Sequence, residues 1–191
     1  HLFDYGTDGM KDTLKSLDDA GITHIGAGNN ESQARQTASS DINGRNITII
    51  NYMDSNNFKE YSTDVMPQAN GSNPGYSAYD SDVAKCQIQD AKANGSDVVI
   101  VYFHFGNEYS CSPNPDQEKM AHEVIDYGAD AVLGSHPHVT QGIEMYKGKP
   151  IFYSLGNFIF DMSNSATHIA YIVKIDFVNE TGEWRVYPVI I

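Results

Sequence analysis

The chain has 191 residues and a formal net charge of −13, and 40% of its residues are hydrophobic. This length supports one domain with a sizeable core, and the hydrophobic content excludes a disordered chain. The negative charge repels phosphate and therefore argues against nucleic acid or an anionic membrane surface as partner, and no uncharged apolar run approaches the ~20 residues of a membrane span.

The first part of the chain predicts one helix and two strands, followed by a long loop. Met10, Leu14 and Leu17 recur at helical spacing. The ITHIGAG stretch that follows predicts a short strand, and NITIINYM, residues 46–53, predicts a buried strand because it is apolar and β-branched. Residues 54–79 are rich in Asn, Ser, Gly and Tyr and lack periodicity, which predicts a long surface loop.

From residue 81 onward, helices alternate with apolar strands. Helices are predicted near 81–93 and 115–127, and the strands DVVIVYFHFG and ADAVLGSHPH follow them. This alternation predicts an α/β fold with a mainly parallel first sheet covered on both faces. After Ile143, short apolar runs joined by the tight turns KGK and NETGE predict an antiparallel C-terminal β meander.

The two cysteines permit a single bridge. Cys86 and Cys111 are too few for a four-cysteine zinc site. Few lysines and many Tyr, Asn, Ser and Gly residues are typical of secreted proteins, in which disulfides persist. A disulfide and two unreactive thiols both remain open at this point.

Three histidines lie at the ends of two neighbouring predicted strands. His104 ends the first strand, and His136 and His138 end the second. In open α/β sheets, ligands bind beyond the carboxyl ends of the strands, and histidine is the commonest metal ligand. Residues at i and i+2 of an extended chain point to the same side, so the HPH pair could hold one cation or two adjacent ones. Each histidine alone could be a hydrogen-bonded turn residue, but the three together favour a metal site.

Other polar residues have less specific signals. Glu108 could orient a ligand, face substrate or be a solvated loop carboxylate. Asn157 is a candidate for substrate binding or the left-handed residue of a tight turn, and the turn is slightly favoured. His24, His122 and His168 are predicted to have structural roles.

The residues HFGNEY and GADAVLGSHPHVTQGIEMYKGKPIFYSLGNFIFD, together with HLFDYGTDGMKDTLKSLDDAGITHIGAGNNESQAR, resemble the bacterial CapA-type poly-gamma-glutamate capsule synthesis proteins. That family looks like a branch of the calcineurin-like metallophosphoesterases, and the resemblance extends from His1 to about Asp161. It implies a layered α-β-β-α sandwich without its N-terminal strands. Residues 1–191 are then one domain whose N-terminal portion is absent, consistent with a start at His1 without initiator methionine or signal peptide.

The same resemblance implies roles for individual residues. His104 and His136 correspond to ligands of one metal ion, and His138 corresponds to a ligand of a second. His1 matches a histidine that lies beside the substrate as a proton donor or oxyanion stabiliser. The motifs that supply a bridging carboxylate lie upstream, so we expect two divalent ions (Mn, Zn or Fe) in the complete protein and one or none here.

The resemblance also implies a role in capsule biosynthesis at the extracellular face of the bacterial membrane or the cell surface. One hypothesis is a metal-dependent hydrolase or transferase that acts on a phosphoester or an anionic polymer, with bound ions offsetting the negative field. The alternative is a non-catalytic surface component that binds or guides polyglutamate or other capsule synthesis proteins. No nucleic-acid partner is expected, and membrane contact is expected only through a missing N-terminal anchor.

Overall fold

The computed structural model describes residues 1–58, 65–178 and 181–190. The helices in these ranges are α1 (Gly6–Asp19), α2 (Glu31–Ala34), α3 (Ser81–Ala93) and α4 (Pro115–Tyr127). The strands are β1 (Ala27–Gly28), β2 (Ala38–Ile42), β3 (Arg45–Met53), β4 (Gly75–Tyr76), β5 (Val98–His104), β6 (Ala131–Ser135), β7 (Ile143–Tyr146), β8 (Lys149–Phe152), β9 (Ile169–Val178) and β10 (Thr181–Ile190). Residues 59–64 of the predicted loop and 179–180 of the predicted NETGE turn lie outside the described residues.

A six-stranded mixed sheet forms the centre of the fold, with strand order β2-β3-β5-β6-β8-β7. Strands β3, β5, β6 and β8 pair in parallel, whereas β2 and β7 pair antiparallel at the two edges. Helix α3 connects β3 to β5, and α4 connects β5 to β6. The prediction of an α/β fold with a mainly parallel first sheet is confirmed.

The two faces of this sheet are covered differently. Alternate residues of β5 point to opposite faces, so Val101 and Phe103 pack in the large core with α3 and α4. Val98 and Ile100 lie in a separate cluster, against which Trp184 of β10 packs. The layers are therefore two helices, the mixed sheet and a two-stranded hairpin of β9 and β10.

The C-terminal antiparallel strands form two hairpins. Strands β7 and β8 extend the central sheet. Strands β9 and β10 pair with each other along their whole length. The isolated bridge between Gly156 and Ala170 links β9 to the chain that follows β8.

The predicted strand in ITHIGAG is much shorter than expected. Only Ala27–Gly28 is a strand, and it pairs antiparallel with β4 outside the central sheet. Ile22, at the start of this stretch, is 54% exposed and does not pack in the core. The place beside β3 belongs instead to β2, whose sequence ASSDI is too polar to have been predicted as a strand.

The segment predicted as a surface loop packs partly inside. Tyr76 and Ser77 are buried, and the Ser77 amide donates to the Gly26 carbonyl at 2.8 Å. The Met53 amide donates in turn to the Ser77 carbonyl at 2.9 Å. This part of the prediction was wrong because backbone pairing buries a segment that has no hydrophobic periodicity.

Both cysteines are free thiols with exposed side chains. Cys86 lies on α3 and Cys111 lies in the loop before α4. Of the two alternatives left open by the sequence, the structure shows the unbridged pair. In the described parts of the chain, no helix has the length and apolar character needed to cross a bilayer.

Candidate functional site

The carboxyl ends of β3, β5 and β6 meet at one edge of the central sheet. The pairing register places Met53 beside His104, and His104 beside Ser135. His136 therefore leaves the sheet immediately next to His104, as the strand order implied. The sheet thus brings histidines from two neighbouring strands to one edge, as predicted.

The HPH segment does not continue as an extended chain. His136 has φ 107° and His138 has φ 61°, both in the region that side chains other than glycine rarely adopt. The centroids of these two rings are 6.4 Å apart. The extended conformation expected for this segment is therefore wrong, because the backbone turns at each histidine.

His136 turns towards His104 instead. Their ring centroids are 4.7 Å apart, and the planes are inclined at 42°. Two imidazoles that bind one tetrahedral ion through nitrogens at ~2.0–2.1 Å have centroids about 5 Å apart. The spacing of this pair therefore fits two ligand positions around a single metal ion.

Burial keeps both of these imidazoles neutral. It lowers the pKa of His104 to about 3, assisted by the proximity of the imidazoles of His136 and His138. Burial also lowers the pKa of His136, although the carboxylate of Glu108 opposes that shift. Neutral imidazole is the form that binds metals, so the environment suits a ligand role. Within the described ranges, however, no three His, Cys, Asp or Glu side chains are grouped closely enough to hold one ion.

His138 is oriented by a different set of neighbours. Its Nδ1 donates to the Asn157 carboxamide oxygen at 3.0 Å, which leaves Nε2 as the nitrogen with a free lone pair. The rings of Phe160 and Tyr109 lie 5.2 and 6.0 Å from its ring. The residue with left-handed geometry in SLGNF is Gly156, with φ 73°, so the favoured turn interpretation of Asn157 was wrong.

His1 lies on the solvent side of the same region. Its side chain is 78% exposed, and its Nδ1 is 2.9 Å from a carboxylate oxygen of Asp4. The His1 ring lies 6.5 Å from Phe160, which also contacts His138. Glu108 is exposed nearby and acts on His136 through its charge. The catalytic role of His1 and the substrate-binding roles of Glu108 and Asn157 stay predictions.

The remaining histidines have local partners. His24 lies 3.1 Å from Asp18, and His122 lies 3.0 Å from Glu144. His168 donates to the Met162 carbonyl at 2.7 Å. These contacts agree with the structural roles predicted for all three.

The sequence of this chain is similar to those of known proteins. Residues 1–162 match the family model described as bacterial capsule synthesis protein PGA_cap. The chain belongs to this family. It is 36% identical over 177 residues to the capsule biosynthesis protein CapA of Bacillus anthracis, covering 91% of this chain and 41% of that protein. It is also 36% identical over 191 residues to the PGA biosynthesis protein CapA of Bacillus subtilis (strain 168), covering 99% of this chain and 48% of that protein. The chain therefore spans less than half the length of these curated relatives.

Solved structures support the fold of this capsule synthesis family member. A putative 5'-nucleotidase from Staphylococcus aureus superposes with TM-score 0.67 at 15% identity, covering 100% of this chain and 36% of that chain. A calcineurin-like phosphoesterase from Bacillus subtilis superposes with TM-score 0.56 at 16% identity, covering 98% of this chain and 60% of that chain. The expected calcineurin-like fold class is thereby confirmed.

One acidic residue at this edge was missed in the sequence. Asp54 directly follows β3, is only 2% exposed, and donates its amide to the His104 carbonyl at 3.0 Å. One of its carboxylate oxygens accepts from the Asn56 amide at 2.8 Å. Applying the rule for carboxyl ends of strands to β3, as well as to β5 and β6, would have identified it.

The loop that carries Glu108 and Tyr109 is held firmly against the HPH segment. The Tyr109 amide donates to the Pro137 carbonyl at 2.8 Å, and Tyr109 itself has φ 60°. Beneath it, the buried side chains of Gln117 and Gln141 connect α4 to the chain beyond His138. The sequence signal for this support is a glutamine, Gln117, at helical spacing with the apolar residues of α4, because a polar side chain on a core-facing helix face needs a hydrogen-bond partner.

Proposed function

We propose that this domain takes part in capsule polymer biosynthesis as part of a metal-dependent hydrolase or transferase of phosphoesterase type, acting at the cell surface. The observation that carries the proposal is the His104–His136 pair, with centroids 4.7 Å apart at the carboxyl edge of the sheet. Family membership supports the biological setting, and the lowered pKa values of both histidines support metal binding rather than a charged structural pair.

In this proposal, His104 and His136 hold one divalent ion and His138 holds a second, with Mn, Zn or Fe as candidates. Such ions would supply Lewis acidity and would offset the net charge of −13 where an anionic phosphoester or polymer approaches. The three imidazoles are too few to complete the coordination of two ions. We propose that the remaining ligands come from a part of the longer protein outside these 191 residues.

The surrounding side chains of this chain orient and shield the site. Asn157 fixes the ring of His138 so that Nε2 faces away from the hydrogen bond. Asp4 accepts from Nδ1 of His1, which orients that ring to hold or deliver a proton through Nε2. Tyr109 and Phe160 flank His138 and limit the access of water to it.

The test uses the full-length protein loaded separately with Mn, Zn or Fe and supplied with p-nitrophenyl phosphate. The proposal expects hydrolysis with at least one metal and its loss in His104→Ala and His138→Gly. His122→Ala is the matched control, because His122 pairs with Glu144 outside this edge, and it should retain activity.

Measured hydrolysis also distinguishes the proposed enzyme from a non-catalytic component that only binds the polymer or its partners. No hydrolysis with any of the three metals, together with retained binding of poly-gamma-glutamate, would overturn the enzyme proposal. That result would favour a component that guides the polymer or binds other capsule synthesis proteins. Equal loss of activity in His122→Ala would show that the histidine variants act through general destabilisation.

A further inference from the structure

A second concave surface lies along the outer strand β2 of the central sheet. It is a groove of about 660 Å³ between the starts of β2 and β3, the chain after α2, and the last turns of α3. Asn46, near the start of β3, lines the groove, whereas Met53 ends the same strand at the histidine edge. The groove extends from Asn46 towards Gln87, which accepts from Tyr52, but it lies along the outer strand β2 and none of its lining residues belongs to the histidine edge. It is therefore distinct from the candidate metal site.

The walls of this groove are almost entirely polar and nearly uncharged. Hydroxyl and carboxamide side chains supply nine of its twelve lining residues, and Ala91 is the apolar one. Arg35 and Asp90 are the charged members, and the guanidinium of Arg35 is already paired with Glu31 at 3.0 Å. The groove therefore has hydrogen-bonding capacity without the cationic site that an anion would need.

Hydrogen bonds organise the floor of the groove before any ligand arrives. The hydroxyl of Thr48 lies 2.8 Å from that of Ser39 and 2.7 Å from that of Ser96, and Thr48 and Ser96 are buried. Gln87 is held at both ends of its carboxamide, accepting from Tyr52 Oη at 2.6 Å and donating to the Arg35 carbonyl at 2.7 Å. These bonds fix the floor of the groove in place, which reduces the entropy lost when a ligand binds.

The rim of the groove retains capacity for new hydrogen bonds. The side chains of Gln36, Asp90 and Asn94 line it, are exposed, and have no hydrogen-bond partner among the described residues. An occupant that replaces water here must itself offer both donors and acceptors, because unpaired polar groups are costly to desolvate. Hydrocarbon chains and unsubstituted aromatic rings lack that capacity, and the pairing of Arg35 with Glu31 leaves the lining without a free cation for a phosphate or carboxylate.

The position of the groove also disfavours an added peptide strand. Asn46 and Thr48 share a face of β3 with Ile50 and Tyr52, which pack in the core beneath the helices. The groove thus lies on the helix-covered face of the sheet, whereas strand addition would use the outer backbone edge of β2. Ligands of this face meet side-chain hydroxyls and carboxamides.

We propose that this groove binds a neutral, hydroxyl-rich ligand, namely a saccharide chain. Sugar hydroxyls donate and accept at once, which matches the hydroxyls and carboxamides of the walls. The volume lies within the range of about 300–1,000 Å³ typical of ligand sites. This inference is independent of the proposed metal-dependent activity, because it uses no residue of the histidine edge.

The test is calorimetric titration of the full-length protein with maltotriose and with chitotriose. We expect saturable binding of at least one trisaccharide, weakened about tenfold or more in Gln36→Ala/Asn94→Ala, which removes two rim side chains. Gln89→Ala is the control, since Gln89 is an exposed residue of α3 outside the groove, and it should bind within about twofold of the unaltered protein. Unchanged thermal unfolding of the variants shows that they remain folded.

Several results would overturn the proposal. The proposal is wrong if neither trisaccharide gives a heat of binding at millimolar concentration. Equal weakening in Gln89→Ala would also overturn it, because it would place the sugar elsewhere. Binding of tri-gamma-glutamate that is lost in the Gln36→Ala/Asn94→Ala variant, without sugar binding, would assign the groove to an anionic peptide instead.

Discussion

The side-chain amide of Gln117 donates a hydrogen bond of 2.9 Å to the carboxamide oxygen of Gln141, and both residues are buried. Gln141 then donates from Nε2 to the carbonyls of Ser110 and Ser112 at 2.9 and 3.0 Å. Two glutamines thus join helix α4, the loop after β5 and the chain beyond HPH. The positions of Tyr109 and His138 depend on this connection.

Replacing Gln141 by leucine should destabilise the protein. The change leaves the Gln117 amide and two loop carbonyls without partners, which predicts a loss of about 2–4 kcal/mol in the free energy of unfolding. Urea denaturation followed by circular dichroism measures it. Gln89→Leu, at an exposed site of α3, should change that free energy by less than about 0.5 kcal/mol. Similar losses in both variants would contradict the role assigned to the buried pair.

Gly134 should tolerate no side chain, whereas Gly142 should. A Cβ at Gly134 would lie 2.2 Å from the Tyr153 carbonyl oxygen and 2.5 Å from the Phe105 ring, so β6 and β8 would have to separate. At Gly142 the same Cβ meets nothing within 4 Å. We expect Gly134→Ala to cost about 3 kcal/mol or more and Gly142→Ala to be nearly neutral. Equal melting temperatures for the two variants would refute this packing.

Asn157 should affect metal affinity through His138. Asn157→Leu removes the acceptor that fixes the imidazole of His138, and loss of such an outer partner weakens metal binding about 10–100-fold. Competition titration of the full-length protein with Zn or Mn measures this affinity. Asn73→Leu changes an exposed loop asparagine and should leave it unaltered. An unchanged affinity in Asn157→Leu would remove His138 from the proposed metal site.

Asp130 should make stability depend on acid pH. Burial raises the pKa of its carboxyl, but hydrogen bonds from Lys149, Lys92 and the Val99 amide outweigh burial, so the folded-state pKa lies below its ordinary value. The unfolded state then binds more protons, and stability falls as pH drops from the unfolded pKa of about 3.8 through the folded one. Unfolding free energies measured from about pH 6 to about pH 2 should show this loss.

The Asp130→Asn variant supplies the comparison for that measurement. It should be less stable than the unaltered protein near pH 6 and should show a weaker dependence on pH below about pH 4, because it lacks the titrating group. Identical pH profiles for the two proteins would mean that Asp130 contributes no ionised partner to Lys92 and Lys149.

The alternating helices and strands from residue 81 were predictable because the core is built from local periodicity. Helices α3 and α4 match their predicted ranges, and β5 is continuously apolar as a strand buried on both faces requires. Strand β2 was not predicted from its polar composition. The Asn43–Gly44 pair, with φ 55° and 79°, is the hairpin turn that could have revealed it.

The edge at which the histidines meet was also predictable, since it follows from strand order alone. The directions of the rings were not. His136 and His138 leave the extended conformation on either side of Pro137, whose carbonyl accepts from the Tyr109 amide across the edge. Such a contact joins residues far apart in sequence, and single-sequence periodicity contains no information about it.

The left-handed backbone at His136 and His138 lowers the stability of the fold at the two residues that the proposed function requires. A residue other than glycine in this backbone conformation lowers the free energy of unfolding by about 1–3 kcal/mol. Replacing either histidine by glycine would relax the turn and remove an imidazole at the same time. Selection for thermostability alone would therefore favour glycine at both positions, and a chain that keeps both histidines has a less stable fold than it could have.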